Sequence, residues 1–212
     1  MKITLDRLVP VPLKENADRS GVWGKRLEIE EGAIYEINAA SARGKTTLVS
    51  IIYGLRFDYE GDVLIGGKSV RSLSEKEWPG VRNTCLSIVF QDLRLFEFLS
   101  GMENILVKAL VAGGADRDAV ESMAERLGVS ACLSKTVREL SWGEKQRIAM
   151  IRALSQEYRF ILLDEPWSHL DKKHAREAAA LVLEKSAKLK ASIVCTTLDK
   201  SDMLPFDERI MV

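Results

Sequence analysis

Two short stretches of this 212-residue chain carry residue types with a definite chemistry. The first is "NAASARGKTT", Asn38 to Thr47, in which Gly44, Lys45 and Thr46 form the G-K-T that cradles nucleotide phosphates. Such a loop grips its anion through converging main-chain N–H groups, helped by the positive end of the helix that follows. No proline interrupts Ala39, Ala40, Ser41, Ala42, Arg43, Gly44, Lys45, Thr46 and Thr47, so every one of those donors is present. Lys45 is expected to reach the β- and γ-phosphates and the Thr46 hydroxyl to ligate Mg²⁺. The glycine usual five residues before Gly44 is absent, however, and Ala39 stands there; Ala42 replaces another. Forcing an L-residue into left-handed backbone costs about 1–2 kcal/mol per position, which predicts a weakened grip rather than a lost one. Arg43 would offset part of that loss by placing a second cation beside the phosphates.

The second stretch is "RFILLDEP", four apolar residues followed by adjacent carboxylates. Asp164, at the tip of a buried strand, is placed to hold Mg²⁺ through water, and Glu165 to polarise an attacking water. Between the two lies "LSWGEKQRIAMIRAL". Ser141 with Glu144 reads as a capping box, and Gly143 bares backbone N–H groups at the start of the helix, a second anion site. Because the phosphate loop has its own helix N-terminus, this site needs a partner: Ser141 and Gly143 of one protomer would cover the γ-phosphate held by another.

The elements around these stretches must position them. "ITLDRLV", "RLEIE" and "AIYEIN" read as short strands, the last running into the loop. A helix is expected from about Lys45, with Leu48, Ile51, Ile52 and Leu55 on one face and Gly54 as its stop. "DVLIGGKSV" reads as strand and turn, and "CLSIVF" as an apolar strand ending at Gln91. From Gly101 to about Leu133 the texture is helical, then "RFILLDEP", "DKKHAREAAALVLEKSAKLK", "ASIVCTT" and "ERIMV" alternate strand, helix, strand, strand. Near-continuous apolar strands between helices predict an α/β fold with a parallel sheet covered on both faces.

The composition, 46% hydrophobic and 29% charged with zero net charge, suits a soluble globular chain and disfavours nucleic acid as a partner. No apolar run approaches the ~18 residues a membrane span needs, and "MKITLDRLVP" has no signal-peptide core, so a cytoplasmic location is expected. Cys85, Cys132 and Cys195 lack metal-site spacing and are expected to be reduced, buried thiols.

Taken in order and spacing, the phosphate loop, Gln91 after an apolar strand, "LSWGE", "ILLDEP" and "SHLD" at Ser168–Asp171 closely resemble the ATP-binding cassette ATPases. The resemblance spans essentially the whole chain. It implies one nucleotide-binding domain: a P-loop NTPase core (1–91 and 134–212) with a mainly parallel sheet flanked by helices, an N-terminal antiparallel β subdomain and an inserted helical subdomain (about 92–133). It also implies ATP and Mg²⁺ as cofactors, head-to-tail pairing as a homodimer or with a second cassette, and Gln91 sensing Mg²⁺ and water. Asp171 would cross the dimer seam. "IVFQDLRLFEFLSGMENI" is similar to the short cassettes of lipoprotein release, cell division and macrolide export, whose segment after Gln91 docks on a transmembrane permease subunit at the cytoplasmic face of the membrane. On that resemblance some of Leu93, Leu95, Phe96, Phe98 and Leu99 would form a covered docking patch.

The chain departs from the family in four places. Ala39 and Ala42 replace loop glycines, Trp142 replaces the first of two signature glycines, and no adenine-stacking aromatic is evident beyond Trp23. Thr197 occupies the position of the family's switch histidine; it can donate a hydrogen bond to a phosphate but carries no charge. These departures predict ATP hydrolysis that is slow and partner-dependent; the alternative is a regulatory or structural nucleotide-binding subunit with little turnover. A soluble cassette of DNA repair or ribosome function fits less well, since those carry long inserts or two cassettes.

Overall fold

The computed structural model describes residues 1–38, 44–111, 116–198 and 202–212. The chain begins with β1 (Lys2–Pro10), which pairs antiparallel with β2 (Arg26–Glu30). Between them lies a 3₁₀ segment, Val11–Arg19, that the sequence pattern did not reveal. β3 (Ile34–Asn38) leads towards the phosphate loop, and α1 (Lys45–Ile52) follows it. Leu48, Ile51 and Ile52 are buried, whereas Leu55 lies past the helix end and is exposed, because the chain turns at Gly54 before a further helical turn can carry it inward.

β4 (Tyr59–Ile65) turns through Gly66 and Gly67 into β5 (Lys68–Ser69), completing a four-stranded sheet in the order β2-β1-β4-β5. A short helix that periodicity did not flag, α2 (Trp78–Thr84), precedes β6 (Leu86–Val89). Next come α3 (Gly101–Val111) and α4 (Arg117–Arg126), the expected helical insertion, and then α5 (Trp142–Leu154). The chain closes with β7 (Phe160–Asp164), α6 (Lys172–Leu189), β8 (Ser192–Thr197) and β9 (Glu208–Met211).

The second sheet has the order β6-β7-β8-β3-β9, and every pairing in it is parallel. Its central strands β6, β7 and β8 are buried and largely apolar because both faces are covered. In β7, Phe160 and Leu162 pack towards α1 and the antiparallel sheet. Ile161 and Leu163 point the other way, into a cluster with α3, α4, α5 and α6. That is the two-residue alternation of a strand with two buried sides. All three cysteines are free and buried, as expected; burial pushes the Cys85 thiol up to about 11, so it stays protonated and unreactive. Among the described residues no helix is long and apolar enough to cross a membrane.

Candidate active site

The registers of the parallel sheet gather the functional residues at one edge. Asn38 of β3 pairs with Thr197 of β8, Thr196 pairs with Asp164 of β7, and Leu163 pairs with Val89 of β6. The carboxyl ends of four neighbouring strands therefore lie level, the edge at which parallel α/β sheets bind ligands. Four of the sequence-derived candidates meet there directly. The buried Lys45 ammonium lies 3.4 Å from Glu165 Oε1. Glu165 Oε2 accepts from Gln91 Nε2 at 3.2 Å, and Gln91 Oε1 in turn accepts from the Thr46 hydroxyl at 3.1 Å. The same Thr46 hydroxyl also lies within hydrogen-bonding reach of Asp164, to which its single proton can be given instead.

Asp164 is buried, and its Oδ1 takes a 2.7 Å hydrogen bond from Thr196 Oγ1. Burial raises the Asp164 carboxyl above its ordinary value; the bonds from Thr196 and Thr46 oppose this, the Glu165 charge adds to it, and the Lys45 charge opposes it. Glu165 sits at φ 48°, in left-handed backbone. That conformation costs a non-glycine residue about 1–3 kcal/mol and occurs most often where a side chain must be aimed. Its N–H donates to Thr196 Oγ1 at 3.1 Å, which fixes the turn. Thr196 is thus a site residue that sequence reasoning missed. Its only signal was its place beside Thr197 at the end of an apolar strand.

Thr197 itself faces elsewhere. Its hydroxyl donates to Glu36 Oε1 at 3.0 Å and accepts from Asn38 Nδ2 at 3.2 Å, on the other side of β8 from Thr196. Glu36 is fully buried and pairs with Arg209 at 3.3 Å. The Thr197 hydroxyl therefore bonds these neighbours on β3 rather than Lys45 or Glu165.

Gly44 caps α1 at φ +100°, a backbone that L-residues rarely adopt. A Cβ there would also stand 2.5 Å from Leu13 and 2.8 Å from Trp23. Trp23 is 4% exposed, so it packs beneath this glycine and is not open for stacking on a base. Thr46 is exposed and Thr47 half-buried. Ala39, Ala40, Ser41, Ala42 and Arg43 lie outside the described residues.

The signature segment forms as expected. Ser141 caps α5, and Glu144 returns the bond through Oε2, 2.8 Å from Ser141 N and 2.7 Å from Ser141 Oγ. The Glu144 carboxylate is occupied by this cap and by the Cys132 thiol at 3.4 Å. Ser141 and Trp142 remain exposed. A Cβ on Gly143 would lie 3.2 Å from the His169 carbonyl oxygen, and the Trp142 ring meets the His169 ring edge-on at 5.4 Å. The signature and the "SHLD" segment therefore lie against each other within one chain. Asp171 caps α6, accepting from His174 N at 3.0 Å. Ser141→Ala removes a cap and is expected to cost about 1 kcal/mol of stability, read as a fall in thermal midpoint. Ser141→Thr, which keeps the capping oxygen, is expected to restore it.

The patch after Gln91 divides. Leu93 is buried and Leu95 packs against the core, Leu99 is half-buried, and Phe96 and Phe98 are exposed. Arg152 of α5 anchors this segment, donating to the carbonyl oxygens of Leu93 at 2.6 Å and Arg94 at 2.7 Å.

A helix N-terminus after a parallel strand, a lysine in its first turn and paired carboxylates at the end of the next strand but one define a P-loop nucleoside triphosphatase. The chain belongs to the ABC transporter family, whose model matches residues 24–168. It is 35% identical over 179 residues to the lipoprotein-releasing system ATP-binding protein LolD of Saccharophagus degradans, covering 83% of this chain and 78% of the relative. A LolD protein of Rhodopirellula baltica is 36% identical over 177 residues, with 82% and 77% covered. Among solved structures, the dimeric bacterial ABC transporter cassette MJ0796 superposes with a TM-score of 0.80 at 24% identity, covering 93% of this chain and 88% of that one. It has the same fold.

Proposed function

We propose that this chain is the ATP-binding and ATP-hydrolysing subunit of a membrane transport or mechanotransmission complex. The observation that carries the reading is the continuous cluster of Lys45, Glu165, Gln91 and Thr46 beside Asp164. In this reading Lys45 neutralises the β- and γ-phosphates, and Gly44 lets the main chain approach them. Glu165 accepts the proton of the attacking water, and Gln91 orients that water.

The donor set suits Mg²⁺, which takes hard oxygens in few protein ligands and keeps several waters. Thr46 Oγ1, Gln91 Oε1 and the Asp164 carboxylate are such donors, with Thr46 beside each of the other two. Among the described residues no group of three His, Cys, Asp or Glu side chains competes for a metal. When bound, Mg²⁺ neutralises charge that develops on the transferred phosphate.

The partners in this reading are a second cassette and a transmembrane permease subunit, which would hold the chain at the cytoplasmic face of the membrane. Ser141 and Gly143 would close on the nucleotide held by the other cassette, from a helix start exposed in the single chain. The names of the relatives make lipoprotein release the first process to test. Hydrolysis is slow in this reading, for two reasons. Alanines replace glycines in the loop, and the Thr197 hydroxyl is engaged by Glu36 and Asn38.

Calorimetry with Mg-ATP, followed by phosphate release from the isolated chain, tests the proposal. Binding with turnover below about 1 s⁻¹, the lower edge of ordinary enzymes, is expected. No heat of association at millimolar Mg-ATP would defeat the ATPase reading. Faster turnover would defeat only the slow one. The engagement of Thr197 also favours a second reading, a nucleotide-gated regulatory subunit, in which Mg-ATP drives pairing and turnover stays undetectable.

A further inference from the structure

A cavity of about 280 Å³ opens beside the segment that follows Gln91, between β6, α3 and α5. Tyr53, Ile88, Phe90 and Val107 wall it, and Phe96 stands at its mouth. Phe96 is 57% exposed and Phe98 80% exposed, an apolar rim that water covers poorly.

Three basic side chains line the cavity, Arg94, Lys108 and Arg152, and no carboxylate does. Arg94 is matched by Asp92 at 3.3 Å and lies over the Phe90 ring at 4.2 Å. The hydrogen-bond partners of the other two are neutral. Lys108 Nζ donates to the Arg82 carbonyl at 3.3 Å and reaches the Tyr53 hydroxyl at 3.5 Å. Arg152 is bonded to the carbonyls of Leu93 and Arg94. Behind them the Arg82 guanidinium is likewise bonded to carbonyls, those of Tyr53 and Gly54, at 3.2 and 2.9 Å. Burial, then the charges of Arg152 and Arg82, push the Lys108 ammonium down to about 8. Burial lowers Arg152 to about 10, against the opposing effects of Tyr53 and the Asp92 charge. Asp92 is the counter-charge at the rim, paired with Arg94, and neither Lys108 nor Arg152 is hydrogen-bonded to a carboxylate; like charges gathered away from water with so little to offset them are costly, and an incoming carboxylate lowers that cost.

We propose that this cavity receives an acidic side chain from the docking segment of the membrane-embedded partner, its carboxylate meeting Lys108 and Arg152 while apolar neighbours cover Phe96 and Phe98. The inference rests on the reading of the chain as a subunit of a membrane complex, and adds the chemistry of the contact. The cavity is too small for a whole helix but wide enough for one side chain, and its apolar wall suits the aliphatic stem of a glutamate. Arg152 also holds Leu93 and Arg94, both in left-handed backbone at φ 60° and 46°. The anchoring carboxylate would thus act on the group that fixes the segment carrying Gln91.

The test places a photo-crosslinking phenylalanine analogue at Phe98 in the full chain, in its native membranes, and maps the crosslinked peptide by mass spectrometry. A membrane-subunit peptide containing Asp or Glu is expected. Lys108→Glu should lower the crosslink about tenfold or more, and reversing the partner's carboxylate to Lys should restore it. Val107→Glu, an exposed lining position, supplies a carboxylate from within and should lower the crosslink without disturbing the fold. It carries the test if Lys108→Glu is poorly folded. Crosslinking to a membrane subunit that is insensitive to both variants, or through a peptide without a carboxylate, overturns this inference and leaves the membrane-complex reading intact. Crosslinking only to a second copy of this chain, or to no protein, overturns both.

Discussion

Glu165→Gln is expected to lower ATP turnover about 10²–10⁴-fold, the range a positioned general base contributes, while the nucleotide is held at least as tightly as before. The reason lies in the hydrogen-bonding capacity of the site. Glu165 receives a charge from Lys45 on one oxygen and an N–H from Gln91 on the other. A carboxylate accepts both; an amide has one acceptor oxygen and must turn its NH₂ group towards a donor. The variant therefore loses the proton acceptor and also loosens the network of the nucleotide-free site. Lys45 is then less strongly held by Glu165 when phosphates arrive. Phosphate release gives the first effect, and retention of labelled ATP on gel filtration gives the second. Turnover within threefold of the parent would remove Glu165 from the role of base.

Lys45→Met is expected to weaken ATP binding about 10–100-fold, the equivalent of a charged hydrogen bond worth about 1.5–3 kcal/mol. Methionine keeps the length of the lysine stem and removes only the charge. A second effect accompanies the first. Lys45 is 5% exposed and Glu165 only 11%, so the variant leaves a poorly hydrated carboxylate without its cation. Breaking one side of such a pair destabilises the folded state far more than removing both. The thermal midpoint of Lys45→Met should therefore fall, and that of Lys45→Met combined with Glu165→Gln should recover part of the loss. Equal midpoints for the single and double variants would show that the pair contributes nothing to the nucleotide-free fold. Calorimetric affinities for Mg-ATP measure the first effect independently.

The candidates for this cluster were readable from local chemistry, but their contacts were not. Lys45 and Glu165 are 120 positions apart, and their meeting depends on β8 lying between β3 and β7. The 3₁₀ segment Val11–Arg19 was hidden because three-residue turns leave no 3.6-residue apolar stripe. The α2 helix was hidden because it is only seven residues long. Thr196 was missed in favour of its neighbour for a related reason. Adjacent strand residues face opposite sides, and only the registry of β8 against β7 shows that Thr196 meets Asp164 and Thr197 meets Glu36. The apolar run after Gln91 gave no indication of how it would divide. Leu93 turns inward and Phe98 outward because Arg152, 54 positions beyond Phe98, pins the backbone between them.

What the amino-acid sequence determined by itself was the set of chemical groups and the elements carrying them. Period-two strands, capped helices and a G-K-T at the start of a helix are local patterns, each set by residues within a few positions of one another. Tertiary structure alone decided which of those groups touch. It aligned four strand ends so that Lys45, Thr46, Gln91, Asp164 and Glu165 share one edge, and turned Trp23 under Gly44. It also gathered Lys108 and Arg152 around a cavity without an acid. The physical reason is that side-chain contacts across a parallel sheet depend on strand order and register, which are settled by burying both faces at once.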